Sequence, residues 1–267
     1  MKRIGISDLA LLLVEPSPTQ HRIISGHLSS LGVTDIEWEQ TGSKALTRVA
    51  VVRPDVVISA MHLPDMTGTE LLHELRNGDM HSDTPFMLIS SETDIRYLAP
   101  IRQAGVTAIL PKPYQLEQLK RALFTAVDYL EPDTSDLEEL AVEQCRVLIV
   151  DDSITSRHHV RRLLSRLGVK QFCETTNGKE AIAALEREYF DLVVTDYNMP
   201  EMDGRELTEY IRQHSSQSGV PILMITSEQD SSRLAAVQQT GVSAICDKPF
   251  EPDTIKHVLK TTLSGSS

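Results

Sequence analysis

The chain carries a short continuous apolar run from Leu9 to Val14, and another from Val147 to Val150. Unbroken runs of this length fit strands covered on both faces, as in parallel sheets. A helical pattern follows each. Val160, Leu163, Leu164 and Leu167 take the i, i+3, i+4, i+7 places of one buried face; Ile24, His27, Leu28 and Leu31 hold the equivalent places in the first half. Ser17 and Ser153 suit the N-caps of these helices, and Gly32 and Gly168 suit their ends.

The alternation continues. Strands are predicted near Ile36 and over Val56–Ser59, Phe86–Ile89 and Thr107–Leu110, with helices from Ser43, Thr69, Glu92 and Gln115. The second half runs in parallel with the first. Strand alternating with helix, about five times over, predicts a parallel α/β sheet with helices on both faces and right-handed crossovers.

The halves repeat at a fixed offset: Asp196 lies 136 positions beyond Ala60, and Lys248-Pro249 the same distance beyond Lys112-Pro113. Glu15-Pro16 stand where Asp151-Asp152 stand. The length suits two domains of ordinary size. We read residues 1–130 as the first domain, 131–144 as an acidic linker and 145–267 as the second domain. Pro132 should stop the preceding helix. Leu137, Leu140 and Ala141 mark a short helical stripe in the linker. With few residues after Leu263, no separate DNA-binding or catalytic output module is expected.

Composition narrows the function. A net charge of −12 and a pI near 5.2 argue against a general binder of phosphate backbones. The cluster Arg157, Arg161, Arg162, Arg166 reads as a solvated helix face, and the adjacent His158 and His159 as surface residues. Cys145, Cys173 and Cys246 form no C-x-x-C pair and read as reduced, packed thiols. Asp8 interrupts the apolar stretch from Ile4 to Val14, and Leu9–Val14 is too short for a signal sequence or membrane span, so the cytoplasm is the expected location. Trp38, the sole tryptophan, is either an interface anchor or packed under a helix.

Ligand sites in open parallel sheets lie at the carboxyl ends of the strands. In the second half those ends present Asp151-Asp152, Asp196, Thr226 and, after the last strand, Lys248. Two carboxylates about 4 Å apart repel by roughly 4 kcal/mol at an effective dielectric near 20. A hard divalent cation relieves this, and Mg²⁺ suits one or two carboxylates, waters and a phosphoryl oxygen. Lysine adds a second positive charge and threonine a hydrogen-bond donor. The set fits a phosphoryl site with Asp196 as the carboxylate nucleophile.

Asp151-Asp152, Asp196-Tyr197-Asn198-Met199-Pro200 with Gly204 following, Thr226 and Lys248-Pro249-Phe250 together resemble the receiver domains of two-component response regulators. The resemblance covers nearly the whole chain except the linker. It implies two flavodoxin-like (βα)5 domains with strand order 2-1-3-4-5. It implies that Asp196 accepts phosphate from a histidine kinase or phosphotransfer protein. Asp152 would ligate Mg²⁺ directly, Asp151 through water and Asn198 by its backbone carbonyl. Lys248 and Thr226 would bind the phosphoryl oxygens, and Lys248-Pro249 would be cis. Receivers often carry Tyr or Phe three residues before the lysine; here Ile245 stands there, which removes the usual aromatic rotation.

The first half resembles the same family without its chemistry. Ala60 offers no nucleophile and Pro16 no side-chain oxygen, while Ser90 and Lys112 remain. Lys112 either pairs with Glu15 or lies over the vacant pocket. This half is expected to bind a protein or to position its neighbour. The leading expectation is a response regulator that signals through a protein effector, with no enzyme activity beyond its own phosphoryl transfer and hydrolysis. No direct contact with nucleic acid and no membrane span are expected, and pairing of two copies stays open. The competing expectation is a phosphorylation-independent scaffold. A Mg²⁺-dependent phosphatase would need a substrate pocket and a general acid that no residue supplies.

Overall fold

The computed structural model describes residues 4–78, 81–92, 94–137, 141–226, 240–248 and 252–264. The chain divides into two compact units, Met1–Pro132 and Asp133–Ser267. In the first, β1 (Ala10–Val14), α1 (Pro18–Ser30), β2 (Asp35–Glu39), α2 (Gly42–Val52) and β3 (Val56–Ala60) lead to α3 (Gly68–Asn77). Then come β4 (Phe86–Ser90), α4 (Ile95–Gln103), β5 (Ala108–Pro111) and α5 (Leu116–Leu130). The second unit holds β6 (Arg146–Val150), α6 (Ile154–Arg166), β7 (Gln171–Thr175), α7 (Gly178–Arg187), β8 (Leu192–Asp196), α8 (Gly204–His214), β9 (Ile222–Thr226), β10 (Ala244–Asp247) and α9 (Pro252–Ser264). The helix expected between β9 and β10, Leu140 of the linker stripe, and Pro249-Phe250 with their cis bond lie outside the described residues.

Each unit contains one all-parallel five-stranded sheet, ordered β2-β1-β3-β4-β5 and β7-β6-β8-β9-β10. This is the flavodoxin-like topology the sequence implies. Alternation along the strands explains the continuous apolar runs. Leu11 and Leu13 pack with Ile24, Leu28 and Leu123 on one face, while Leu12 and Val14 pack with Val49, Leu71 and Leu72 on the other. Both faces are apolar because both are covered.

Local signals work as read. The Ser17 and Ser153 hydroxyls accept from the Gln20 and Ser156 amides, one turn into α1 and α6. Gly32 and Gly168 take φ of +91° and +103°, the left-handed conformation that ends both helices. α4 begins at Ile95, later than the expected Glu92, because Asp94 accepts from the Arg96 amide and caps the helix there. The segment Ser135–Leu137 is a 3-10 turn, and Leu137 and Val142 are buried.

Two further repeats lock the sheets. Asp55 accepts from the Ala10 amide and Asp191 from the Arg146 amide, both at 2.8 Å, tying the entry of the third strand to the first. The Arg76 guanidinium donates to the Thr84 and Gly105 carbonyls, and that of Arg212 to Ser218, Val220 and Gly241. These arginines close the loops flanking β4 and β9 with bonds of the stronger, charge-assisted kind.

Candidate functional site

The carboxyl ends of β6, β8, β9 and β10 bring together the residues that the sequence placed there. Asp151 follows β6, Asp196 and Thr226 end β8 and β9, and Lys248 follows β10. All four are buried: Asp151 is 3% exposed, Asp196 4%, Thr226 0% and Lys248 1%. The Lys248 amide donates to the Thr226 carbonyl at 2.8 Å, so the β9–β10 ladder itself carries the lysine into the crevice.

Lys248 Nζ lies 2.9 Å from Asp196 Oδ1, 3.2 Å from Asp151 Oδ2 and 3.1 Å from Ser156 Oγ. Asp151 is held on every side. Its Oδ1 accepts from the Ser153 amide at 2.8 Å, its Oδ2 from the Ser156 hydroxyl at 2.5 Å, and its carbonyl from Arg157. Asp152 is exposed. One carboxylate oxygen from each of Asp151, Asp152 and Asp196 falls within 4.8 Å of the others. Oxygen donors alone, two buried and one open to solvent, suit a hard cation that keeps several waters. Asn198 is exposed, two residues beyond Asp196.

Burial pushes the Asp196 carboxyl up to about 6; Lys248 pulls against this, while Asp151 and Asp152 add to the rise. The turn after β8 is fixed by Gly204, whose amide donates to the Tyr197 carbonyl at 2.9 Å. A Cβ at Gly204 would stand 2.2 Å from the Asp196 carbonyl oxygen, so only glycine lets α8 start this close to the acid.

The profile of the response regulator receiver domain matches residues 11–124 and again 147–260. The chain belongs to the response regulator receiver family. It is a tandem receiver. It is 37% identical over 123 residues to the chemotaxis protein CheY-3 of Vibrio cholerae serotype O1, covering 46% of this chain and 95% of that one. It is 36% identical over 119 residues to the chemotaxis protein CheY1 of Helicobacter pylori, covering 44% and 96%. Among solved structures it is similar to the receiver domain of a sensor histidine kinase from Pseudomonas aeruginosa PAO1, with a magnesium ion coordinated in its active-site cleft. That likeness has 24% identity and a TM-score of 0.42, and covers 45% of this chain and 97% of that one.

The first receiver keeps the frame and changes the contents. Its Lys112 amide donates to the Ser90 carbonyl at 2.7 Å, as Lys248 does to Thr226. Lys112 Nζ lies 3.4 Å from Glu15 Oε2, so it pairs with Glu15. The Ser59 and Thr195 hydroxyls donate to the Ala60 and Asp196 carbonyls at 2.8 and 3.0 Å. Pro16 and Ala60 bring no side-chain oxygen to this place.

The units also differ beside the site, at positions the sequence reading treated separately. In the second, Arg157 lies 3.6 Å from Glu174 and donates to the Asp151 carbonyl. In the first, the matching positions hold His21 and Trp38, whose rings stack with centroids 4.0 Å apart. Trp38 Nε1 donates to the Glu15 carbonyl at 2.9 Å. An ion pair has been exchanged for an aromatic stack, and each supplies one N–H to the same carbonyl. Trp38 is thus packed against the core rather than presented as an anchor.

Two surface readings need correction. The Arg157 side chain is only 11% exposed and belongs to the site rather than to a solvated face. His159 is buried at 2%, because it shares the inward face of α6 with Thr155, Ser156 and Val160; His158 is exposed as expected. Sequence reasoning also missed Ser156. Its signal is its place one turn beyond the N-cap Ser153, where a hydroxyl can reach back to the strand end. Ile245 is partly buried on the edge strand β10, and Ile109 occupies the matching place on β5. Cys145 and Cys246 are buried, Cys173 partly so, and all three are free thiols; burial pushes the Cys145 thiol up to about 12. No helix among the described residues is long and apolar enough to cross a membrane.

Proposed function

We propose that the second receiver is the phosphoacceptor of this response regulator, with Asp196 as the nucleophile. The observation that carries the reading is the convergence of three carboxylates within 4.8 Å of one another around a lysine 2.9 Å from Asp196. An Asp196 oxygen bonds to phosphorus while the P–N bond of a donor phosphohistidine breaks. The electron pair leaves on the imidazole, which takes up a proton. Asp151, Asp152, Asp196 and the Asn198 carbonyl would hold Mg²⁺, which neutralises the acids and the transferring phosphoryl oxygens. Lys248 and Thr226 bind those oxygens once the acyl phosphate forms. The new group adds roughly −1.5 to −2 charges, and Lys248 and Thr226 couple that charge to β9 and β10.

A histidine kinase or phosphotransfer protein supplies the phosphoryl group, and a protein effector reads the result. Enzyme activity extends no further than the chain's own phosphoryl transfer and hydrolysis. The first receiver binds or positions a protein without being phosphorylated. The scaffold reading draws on Ile245, which offers no aromatic ring to rotate.

Titration with beryllofluoride and Mg²⁺, followed by backbone amide shifts, tests the proposal. Saturable shifts around Thr226 and Lys248, absent in Asp196→Asn, support it. No binding by the wild-type chain overturns it. The scaffold reading instead requires that Asp196→Ala leave capture of partner proteins unchanged.

A further inference from the structure

We infer that Ser156 is a positioning residue of the second receiver, holding the Asp151 carboxylate in place while Lys248 changes partners. The inference rests on the assignment of Asp196 as phosphoacceptor. Ser156 is 1% exposed and touches both groups: its Oγ lies 2.5 Å from Asp151 Oδ2 and 3.1 Å from Lys248 Nζ. The direction of these bonds is forced. An ammonium only donates and a carboxylate only accepts. Ser156 therefore accepts from Lys248 and donates its single hydrogen to Asp151.

Lys248 Nζ lies within hydrogen-bonding reach of Asp196 Oδ1, Asp151 Oδ2 and Ser156 Oγ. Asp151 Oδ1 is fixed separately by the Ser153 amide. When Lys248 turns to a phosphoryl oxygen, Asp151 Oδ2 loses one donor. The Ser156 hydroxyl then remains, carried by α6. The Asp151 carboxylate keeps its orientation through the exchange.

The first receiver supplies the contrast. Gln20 occupies the position matching Ser156, and Lys112 meets Glu15 at 3.4 Å. The buried hydroxyl accompanies the intact acids. A serine that merely filled space in α6 would not need its oxygen between the two charged groups.

The test uses the full chain and three variants. Ser156→Ala removes the hydroxyl, Ser156→Cys keeps the shape with a weaker donor, and Ser156→Thr keeps the hydroxyl. Isothermal titration measures Mg²⁺ affinity, and acetyl phosphate at saturating Mg²⁺ measures the phosphorylation rate. Groups that orient metal ligands typically alter affinity by about 10–100-fold when removed. We expect Mg²⁺ affinity to fall about tenfold or more in Ala, by less in Cys, and to stay within about threefold of wild type in Thr. The phosphorylation rate should follow the same order. The inference is overturned if Ala and Cys both bind Mg²⁺ within about twofold of wild type, or if Thr falls as far as Ala. A wild-type chain that binds Mg²⁺ yet takes no phosphoryl group defeats the phosphoacceptor assignment instead. In that event the Mg²⁺ affinities still decide the role of Ser156.

Discussion

The ammonium of Lys248 lies 2.9 Å from Oδ1 of Asp196, inside a crevice that leaves the lysine 1% exposed. The matching lysine of the first receiver, Lys112, meets Glu15 at 3.4 Å and its side chain is 24% exposed. The same strand-end frame thus serves two electrostatic situations.

Lys248→Ala leaves Asp151 and Asp196 buried without their shared cation. Breaking a buried ion pair costs about 3–5 kcal/mol. Lys112→Ala breaks a single, partly exposed contact and should cost about 1 kcal/mol. Chemical denaturation of the metal-free chain at neutral pH, followed by circular dichroism, checks the ranking. Equal losses would show that burial around Lys248 has no energetic consequence.

Asp196 gives a pH dependence with a definite sign. Its folded-state value, raised to about 6 from the ordinary 3.8, means that the folded state holds its proton more tightly. The resulting stability is present at low pH and is lost as pH rises from about 4 through 6. In the metal-free chain, Asp196→Asn should therefore raise stability at pH 7 by about 1–2 kcal/mol, with the gain vanishing near pH 4. Thermal unfolding in a chelator at both pH values reads it. A variant less stable than wild type at pH 7 would contradict a carboxyl that burial holds above its ordinary value.

Two glycines separate a steric requirement from ordinary helix propensity. A Cβ at Gly204 would meet the Asp196 carbonyl oxygen at 2.2 Å, whereas Gly26 in α1 has nothing within 4 Å. Gly204→Ala should destabilise by about 1–3 kcal/mol and displace Asp196. Gly26→Ala should stabilise by about 0.5–1 kcal/mol. Opposite signs in thermal unfolding are the expected outcome.

The first receiver should resist simple repair. Ala60→Asp restores an acid, yet Pro16 still supplies no oxygen and Lys112 still holds Glu15. On an Asp196→Asn background, Ala60→Asp should take no phosphoryl group from acetyl phosphate. Mass spectrometry of the intact chain decides this, and a labelled protein would show that Ala60 alone separates the two receivers.

Much of this site is legible along the chain because parallel strands deliver their ends to one place. Asp151, Asp196, Thr226 and Lys248 could be collected from the apolar runs that precede them. Ser156 could not be collected in the same way. A serine within a helix reads as an ordinary polar position, and its partner Lys248 is 92 residues away. The exchange of Arg157–Glu174 for His21–Trp38 is hidden for a similar reason, since it depends on how the first helix of each unit crosses the second strand. His159 lies just outside the apolar stripe and reads as surface until the direction of α6 is known. Arg76 and Arg212 look like routine helix-end charges, although their partners are loop carbonyls.

The phosphoacceptor role comes down to the chemistry of one side chain, Asp196. The full chain is treated with acetyl phosphate and Mg²⁺, then digested and mapped by mass spectrometry under acidic conditions that preserve acyl phosphates. A single phosphoryl group on the peptide containing Asp196, absent in Asp196→Asn and absent in chelator, is the predicted result. No label on the wild-type chain, or a label that persists in Asp196→Asn, would contradict it.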